Sequence, residues 1–110
     1  MSAVRYNKYR NIPTERDGIT FASKKEATHY QQLKLRQYAG EIGEIDLQPR
    51  YPLIVNGMLI GTYIADFRYP ELPSGRVCVI DVKSAATRTP VYRLKKKLVH
   101  ALYNVTIIEV

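Results

Sequence analysis

Residues 63–83 read Tyr63-Ile64-Ala65-Asp66-Phe67-Arg68-Tyr69-Pro70-Glu71-Leu72-Pro73-Ser74-Gly75-Arg76-Val77-Cys78-Val79-Ile80-Asp81-Val82-Lys83. Two apolar runs flank Pro70 to Gly75, whose prolines and glycine mark a turn. The first run ends a strand expected over about Leu59 to Tyr69, and alternation sets Ile64, Asp66 and Arg68 on one of its faces. The second is a strand over about Arg76 to Lys83, where Asp81 and Lys83, two apart, share a face. Pairing through the turn makes Asp66 and Asp81 near neighbours across the ladder. An unpartnered charge inside an apolar strand is costly, and two facing carboxylates need a proton or a cation between them.

Upstream, Asn56-Gly57 is a strong hairpin turn. The strand before it covers about Ile45 to Val55, with Pro49 and Pro52 demoting parts of it to an edge or a bulge. Ser23-Lys24-Lys25-Glu26 has capping-box spacing and starts a helix that runs to about Ala39, where Gly40 stops it. Glu26, Tyr30, Leu33 and Gln37 fall on one face of this helix, with Ala27 and Tyr38 beside it, so the inward stripe carries a carboxylate. Residues 1–20 read as a basic extended or irregular arm broken by Pro13 and Asp17-Gly18, ahead of a single domain over 21–110. Downstream, Thr89-Pro90 supplies an N-cap and a proline at the first helical position. The helix to about Tyr103 places Val91, Leu94, Leu98, Ala101 and Leu102 on one face and Arg93, Lys96, Lys97 and His100 on the other. Val105 to Val110 is a last short strand. The order is helix, three-stranded meander, helix, strand, an α+β layer arrangement.

The chain has 110 residues, 45% hydrophobic and 25% charged, enough for one packed domain. A dinucleotide-binding oxidoreductase or a kinase does not fit that length. The single cysteine, Cys78, excludes an intrachain disulfide and reads as a small core residue, because no activating base flanks it. No apolar stretch approaches the ~20 residues of a membrane span, and the polar first residues lack a signal-peptide core. A soluble protein of the cytoplasm is expected. The net charge is +7, and it is segregated. Residues 1–25 carry six Lys/Arg against two acids, residues 26–81 five against seven, and residues 82–110 six against one. A basic chain with an acidic centre suits a polyanion such as nucleic acid.

Paired carboxylates are oxygen ligands of the kind Mg²⁺ takes, together with waters and phosphate oxygens. A lysine two residues on is suited to orient or deprotonate a metal-bound water, or to stabilise charge that develops on a phosphate. The bland alternatives are an ordinary strand-end aspartate at Asp66, a surface ion pair between Asp81 and Lys83 worth ~0–1 kcal/mol, and a Glu26 that only closes the capping box onto the Ser23 amide.

A helical glutamate, an aspartate ending one strand, Asp-x-Lys on the next and then a basic helix together resemble the PD-(D/E)XK nuclease superfamily. Ala65-Asp66 stands for the "PD", with alanine where the family has proline, and Asp81-Val82-Lys83 for the "(D/E)XK". The element order is similar to that superfamily's restriction-endonuclease-like αβββαβ core, a mixed sheet flanked by two helices. More narrowly, the chain resembles a small phage-encoded family of uncharacterised proteins within it. The segments that carry this are Tyr9-Arg10-Asn11, Asp17-Gly18-Ile19-Thr20-Phe21-Ala22-Ser23-Lys24-Lys25-Glu26-Ala27, Leu47-Gln48-Pro49-Arg50-Tyr51, Tyr63 to Phe67, Asp81 to Lys83 and Tyr92 to Lys97. The resemblance implies a divalent-metal-dependent deoxyribonuclease using Mg²⁺ (or Mn²⁺), in the cytoplasm of a bacterial host if phage-encoded. Asp66, Asp81, Glu26 and the Val82 carbonyl would hold the metal, and Lys83 would act on the attacking water. Its size and phage-like relatives point to branched or recombination intermediates as substrate.

Gln48 and Arg50 flank Pro49 beside the expected active face and are candidate phosphate contacts. Tyr92, Lys95 and Lys96 open the second helix, and Arg88, Arg93, Lys96 and Lys97 are candidates for salt-dependent contacts to DNA phosphates. Tyr6 and Tyr9 alternate with Arg5, Lys8 and Arg10, a pattern that suits stacking on exposed bases and equally suits a tail that packs onto the domain. His29 and His100 lack the further ligands of a zinc site and read as ordinary boundary histidines. A homodimer would present two sites to a two-fold substrate. Two other readings stand beside the nuclease: a non-catalytic nucleic-acid-binding module that retains the nuclease fold, and a basic assembly protein that packs against acidic partners.

Overall fold

The computed structural model describes residues 12–83 and 88–110. Tyr6, Tyr9 and the basic residues among them lie outside the described residues. From residue 14 onward the expected arm is a hairpin: β1 (Thr14–Arg16) pairs with β2 (Ile19–Phe21). Its turn is Asp17-Gly18, both at positive φ, the conformation that Asp and Gly tolerate best. The Tyr30 hydroxyl donates to Asp17 Oδ2 at 3.2 Å, which ties the hairpin to the first helix.

That helix, α1 (Lys24–Tyr38), begins as the cap predicts, with Ser23 Oγ accepting from the Glu26 amide at 3.1 Å. It ends on Gly40 at positive φ, with the Gly40 amide donating to Gln37 O and the Glu41 amide to Arg36 O, the Schellman pattern. Glu26, Ala27, Tyr30 and Leu33 are buried, as expected from the periodicity. Tyr38 is not beside that stripe; it is 95% exposed at the last helical position, where no strand faces it.

The two long strands expected around Asn56-Gly57 are each broken once. The first is β3 (Asp46–Leu47) and β4 (Arg50–Val55); the second is β5 (Met58–Ile64) and β6 (Phe67–Pro70). Gln48 at φ 50° and Pro49, which has no N–H, interrupt one. Ala65 and Asp66 interrupt the other directly opposite: the Ala65 amide donates to Pro49 O and the Gln48 amide to Asp66 O, each at 3.1 Å. The hairpin thus stays connected but bends there, as a bulge bends a ladder. Beyond the bend, β3 and β6 join β7 (Val77–Asp81) and β8 (Ile107–Glu109) in a mixed sheet of order β3-β6-β7-β8, while β4-β5 remains a separate ribbon. β7 and β8 run parallel, which requires a crossover, and α2 (Pro90–Tyr103), capped by Thr89, supplies it. The fold is therefore the expected α+β arrangement with a mixed sheet and two helices.

Alternation along β7 divides the core. Cys78 and Ile80 face α1 with Phe21, Ala27, Tyr30, Leu33, Ile42, Phe67 and Tyr69. Val79 faces α2 with Tyr51, Leu53, Tyr63, Ala65, Tyr92, Val99 and Ile107. Cys78 is thus the buried core residue its neighbours suggested. The side of α2 turned to this core is Tyr92 and Val99 with part of Leu98, and not the row Val91, Leu94, Leu98, Ala101 and Leu102. Tyr92 wins because its ring fills the space between β5 and β7, whereas Val91 and Leu94 stay 62% and 58% exposed. No helix among the described residues is long and apolar enough to cross a membrane.

Gly43 lies where the chain crosses Pro70. Its amide donates to Pro70 O at 2.9 Å, and a Cβ added there would stand 2.7 Å from Pro70 Cγ. The proline ring has little freedom to retreat. Gly43→Ala should cost about 1–3 kcal/mol by overpacking, read as a lower thermal midpoint with unchanged far-ultraviolet circular dichroism.

Candidate active site

The bend at Ala65–Asp66 and the end of β7 meet at one end of the sheet. Phe67 pairs with Ile80, and the next residues outward on the two chains are Asp66 and Asp81, so both aspartates lie at this end of the sheet. The Asp66 backbone is held on both sides, its amide donating to Ile80 O and its carbonyl accepting from Gln48. Its carboxylate is held as well: Oδ2 accepts the Val82 amide at 2.7 Å. Glu26 reaches the same place from α1. No return bond joins its carboxylate to the Ser23 amide among the described residues, so only half of the expected capping box forms and the carboxylate faces the aspartates instead. Ile19, Phe21, Glu26, Leu47, Gln48 and Asp66 line a small cleft of about 140 Å³ here.

The electrostatics follow from burial. Asp81 is 1% exposed, and its Oδ2 has no hydrogen-bond donor among the described residues. Burial pushes its carboxyl up to about 6, although Lys83, with Nζ 3.6 Å from Oδ1, pulls it down. Glu26 is pushed up to about 7 by burial first, then by the charges of Asp66 and Asp81, against Lys83. Asp66 is raised by burial and relieved in part by the Val82 amide and Lys83. Three carboxyls that each resist ionisation around one lysine leave the spot short of positive charge.

Lys83 is positioned on several sides. Its backbone amide donates to Val110 O, and its carbonyl accepts from Lys25 Nζ at 2.8 Å, a tie from α1. Its ammonium lies 4.2 Å from the centre of the Tyr92 ring, a cation–π contact. The pair Asp81–Lys83 is therefore a buried ion pair and not a surface one. The Tyr92 hydroxyl in turn donates to Glu109 Oε2 at 2.5 Å. Glu109 also accepts from Arg88 at 3.1 Å and pairs with Lys96 at 3.3 Å. The Tyr92 hydroxyl first, and then these two cations, hold its carboxyl down to about 2.

Glu109 is the residue the sequence reading missed. It is the one acid among the cations of residues 82–110, and that isolation was the available signal. Arg88 and Lys96, expected on phosphates, are thus engaged by Glu109, and Lys95 donates to Thr62 O at 3.1 Å. Arg93 and Lys97 remain exposed. With Arg88, Lys96, His100 and Glu109 they line a basic groove of about 560 Å³ between α2 and β8. Arg50 is exposed on β4, away from the cleft lining. His29 packs against Phe67 with ring centroids 5.6 Å apart and planes tilted by 43°, and burial lowers its pKa.

A divalent cation fits the donors in chemistry. Among the described residues no three Asp, Glu, His or Cys side chains form a ready-made cage. Mg²⁺ does not require one, since it commonly takes one or two carboxylates and fills its shell with waters and phosphate oxygens. Asp81 Oδ2, buried and without a donor among the described residues, is the atom such a cation would complement. A family model described as Protein of unknown function (DUF1064) matches residues 6–108. No curated protein and no solved structure matches the chain.

Proposed function

The chain belongs to this DUF1064 family, and we propose that it is a divalent-metal-dependent deoxyribonuclease that hydrolyses DNA phosphodiesters. The observation that carries the reading is the buried Asp81 carboxylate, with an oxygen that has no donor among the described residues, beside Asp66, Glu26 and Lys83. In this reading Asp81, Asp66 and the Val82 carbonyl would hold a Mg²⁺ or Mn²⁺ ion, and Glu26 would act on a water of its shell. Such an ion supplies charge stabilisation at the scissile phosphate and acidifies water. Water attacks phosphorus, the P–O3′ bond breaks, and the leaving oxygen takes a proton from solvent. Glu26, beside the two aspartates, is placed to accept the proton that the attacking water loses. Lys83 orients that water and offsets charge on the phosphate. The Tyr92 ring and Glu109 behind it keep the ammonium in place. Arg93 and Lys97 contact the DNA backbone, which makes binding steeply salt-dependent. Branched or recombination intermediates in a bacterial cytoplasm are the substrates the phage-like resemblance favours.

The groove between α2 and β8 favours a second reading, a non-catalytic DNA-binding module on the same fold. Incubation of purified protein with supercoiled plasmid and a four-way junction, in Mg²⁺, Mn²⁺ or EDTA, separates the two. The nuclease reading expects cleavage only with metal, and a loss of about 100-fold or more in Lys83→Met. DNA bound but never cut, with binding unaffected by Lys83→Met, favours the module.

A further inference from the structure

We propose that the groove between α2 and β8 holds an unpaired DNA strand, with its bases turned inward and its phosphates on the rim. The inference rests on the reading that the chain engages DNA, and adds which form of DNA it selects. The groove has a volume of about 560 Å³, the size of a small-molecule site. That is room for a base and its sugar, and not for a duplex, which would only rest on the rim. Its floor is Val105 and Ile107, which belong to the core on this side of the sheet and carry no charge. A duplex hides its base faces by stacking. An unpaired strand exposes them, and an apolar floor covers them.

The cations of the groove are sorted by exposure. Arg88 and Lys96 are half-buried and paired with Glu109, at 3.1 and 3.3 Å. The Glu109 carboxylate offsets much of their charge just where a phosphate would enter the groove. Arg93 and Lys97 are exposed and carry no ion pair among the described residues. They stand one helical turn apart, with about 6 Å between Cβ atoms, a spacing that suits successive phosphates of one strand. His100 continues that row and presents an exposed ring on which a base stacks. A strand laid here is turned bases inward and phosphates outward by the placing of the charges.

The strand beside the groove adds polar groups. β8 is the outer strand of its sheet among the described residues. The Val110 amide donates to Asp81 O and the Val110 carbonyl accepts from the Lys83 amide, so alternation turns the amides and carbonyls of Ile107 and Glu109 away from β7, where the edges of bases can meet them. Within a strand of three residues, these two are too short a template for an added peptide strand, which favours nucleic acid over an acidic protein segment. Tyr92 ties the groove to the acidic centre. Its hydroxyl reaches Glu109, and its ring centre lies 4.2 Å from the Lys83 ammonium. An unpaired strand in the groove is thus held next to the proposed chemistry, as a flap or a branch would supply it.

Fluorescence anisotropy of the whole chain in EDTA tests it, with labelled oligothymidine of about 12 nucleotides set against a duplex of equal length. The single strand is expected to bind about tenfold tighter or more at about 0.1 M salt. Arg93→Gln together with Lys97→Gln should lower its affinity about tenfold or more and flatten its salt slope by about 1.4. His100→Ala should lower it about fivefold and leave duplex binding unchanged. Lys34→Gln, exposed on α1, should change neither. Three outcomes overturn the proposal: a duplex bound as tightly as the strand, strand binding that survives the paired substitution, or a glutamate-rich peptide bound as tightly as the strand. Plasmid cleavage keeps the two readings apart. Closed duplex cut with Mg²⁺, without any preference for the strand, keeps the nuclease and sinks the groove. A strand bound through Arg93 and Lys97 but never cut does the reverse.

Discussion

Asp81→Asn is expected to lower metal-dependent cleavage by about a thousandfold or more and, in the same protein, to raise the thermal midpoint at pH 8 in EDTA. The two effects share one cause. Asparagine keeps the shape of the side chain and removes a charge that is 1% exposed and only partly offset by Lys83. The buried carboxylate therefore costs stability wherever no cation is bound, a strain of the kind concentrated at functional sites. Lys83 loses its acidic neighbour in the variant but keeps the Tyr92 ring. The gain should be about 1 kcal/mol, after allowing for solvent at the open end of the site. Cleavage rates and melting curves on the same preparations check both halves. Retained cleavage would remove Asp81 from the chemistry, and a lower midpoint would mean that its charge is already satisfied.

The second large effect is on pH. Glu26 is raised from 4.5 to about 7 and Asp81 from 3.8 to about 6. A carboxyl raised on folding contributes stability that is complete below its unfolded pKa and is lost as pH rises through its folded one. Between about pH 5 and pH 8 the native state thus binds more protons than the unfolded chain, and stability falls as pH rises. His29, lowered by burial, acts in the opposite sense and loses its contribution as pH falls. Glu109, held at about 2, keeps its contribution until well below pH 5. Without metal, the protein should be more stable near pH 5 than at pH 8 by about 1–3 kcal/mol, on the order of 5–10 °C in midpoint. Glu26→Gln should flatten that slope in part, since it removes one of the three raised carboxyls. Saturating Mg²⁺ at pH 8 should restore stability to the wild type and not to Asp81→Asn. A midpoint flat from pH 5 to pH 8 would sink the electrostatic account.

Features written in a few adjacent residues were legible in the sequence. The Ser23 and Thr89 caps, the Asn56-Gly57 turn and the two-residue spacing of Asp81 and Lys83 all depend on local chemistry. So did the inward turn of Glu26, which shares a face with Tyr30 and Leu33. The bend at Gln48-Pro49 and Ala65-Asp66 was only half visible: Pro49 warned of a break, but nothing near Asp66 did, because its break is imposed by the strand opposite. The β1–β2 hairpin was hidden by strands of three residues, too short to show alternation, although Asp17-Gly18 announced the turn. The face of α2 was misjudged for an instructive reason. Periodicity ranks the leucines together, yet the core took the aromatic ring that Lys83 and Glu109 also use.

The groups at the sheet end come from two layers. Glu26 belongs to the helix on one face, Tyr92 to the helix on the other, and the Lys25 contact to the Lys83 carbonyl is the stitch between them. Neither layer holds the full constellation alone. A chain with one layer undocked would carry every residue and none of the arrangement. The arrangement therefore exists only while both layers are docked, and the site reports on the integrity of the two together.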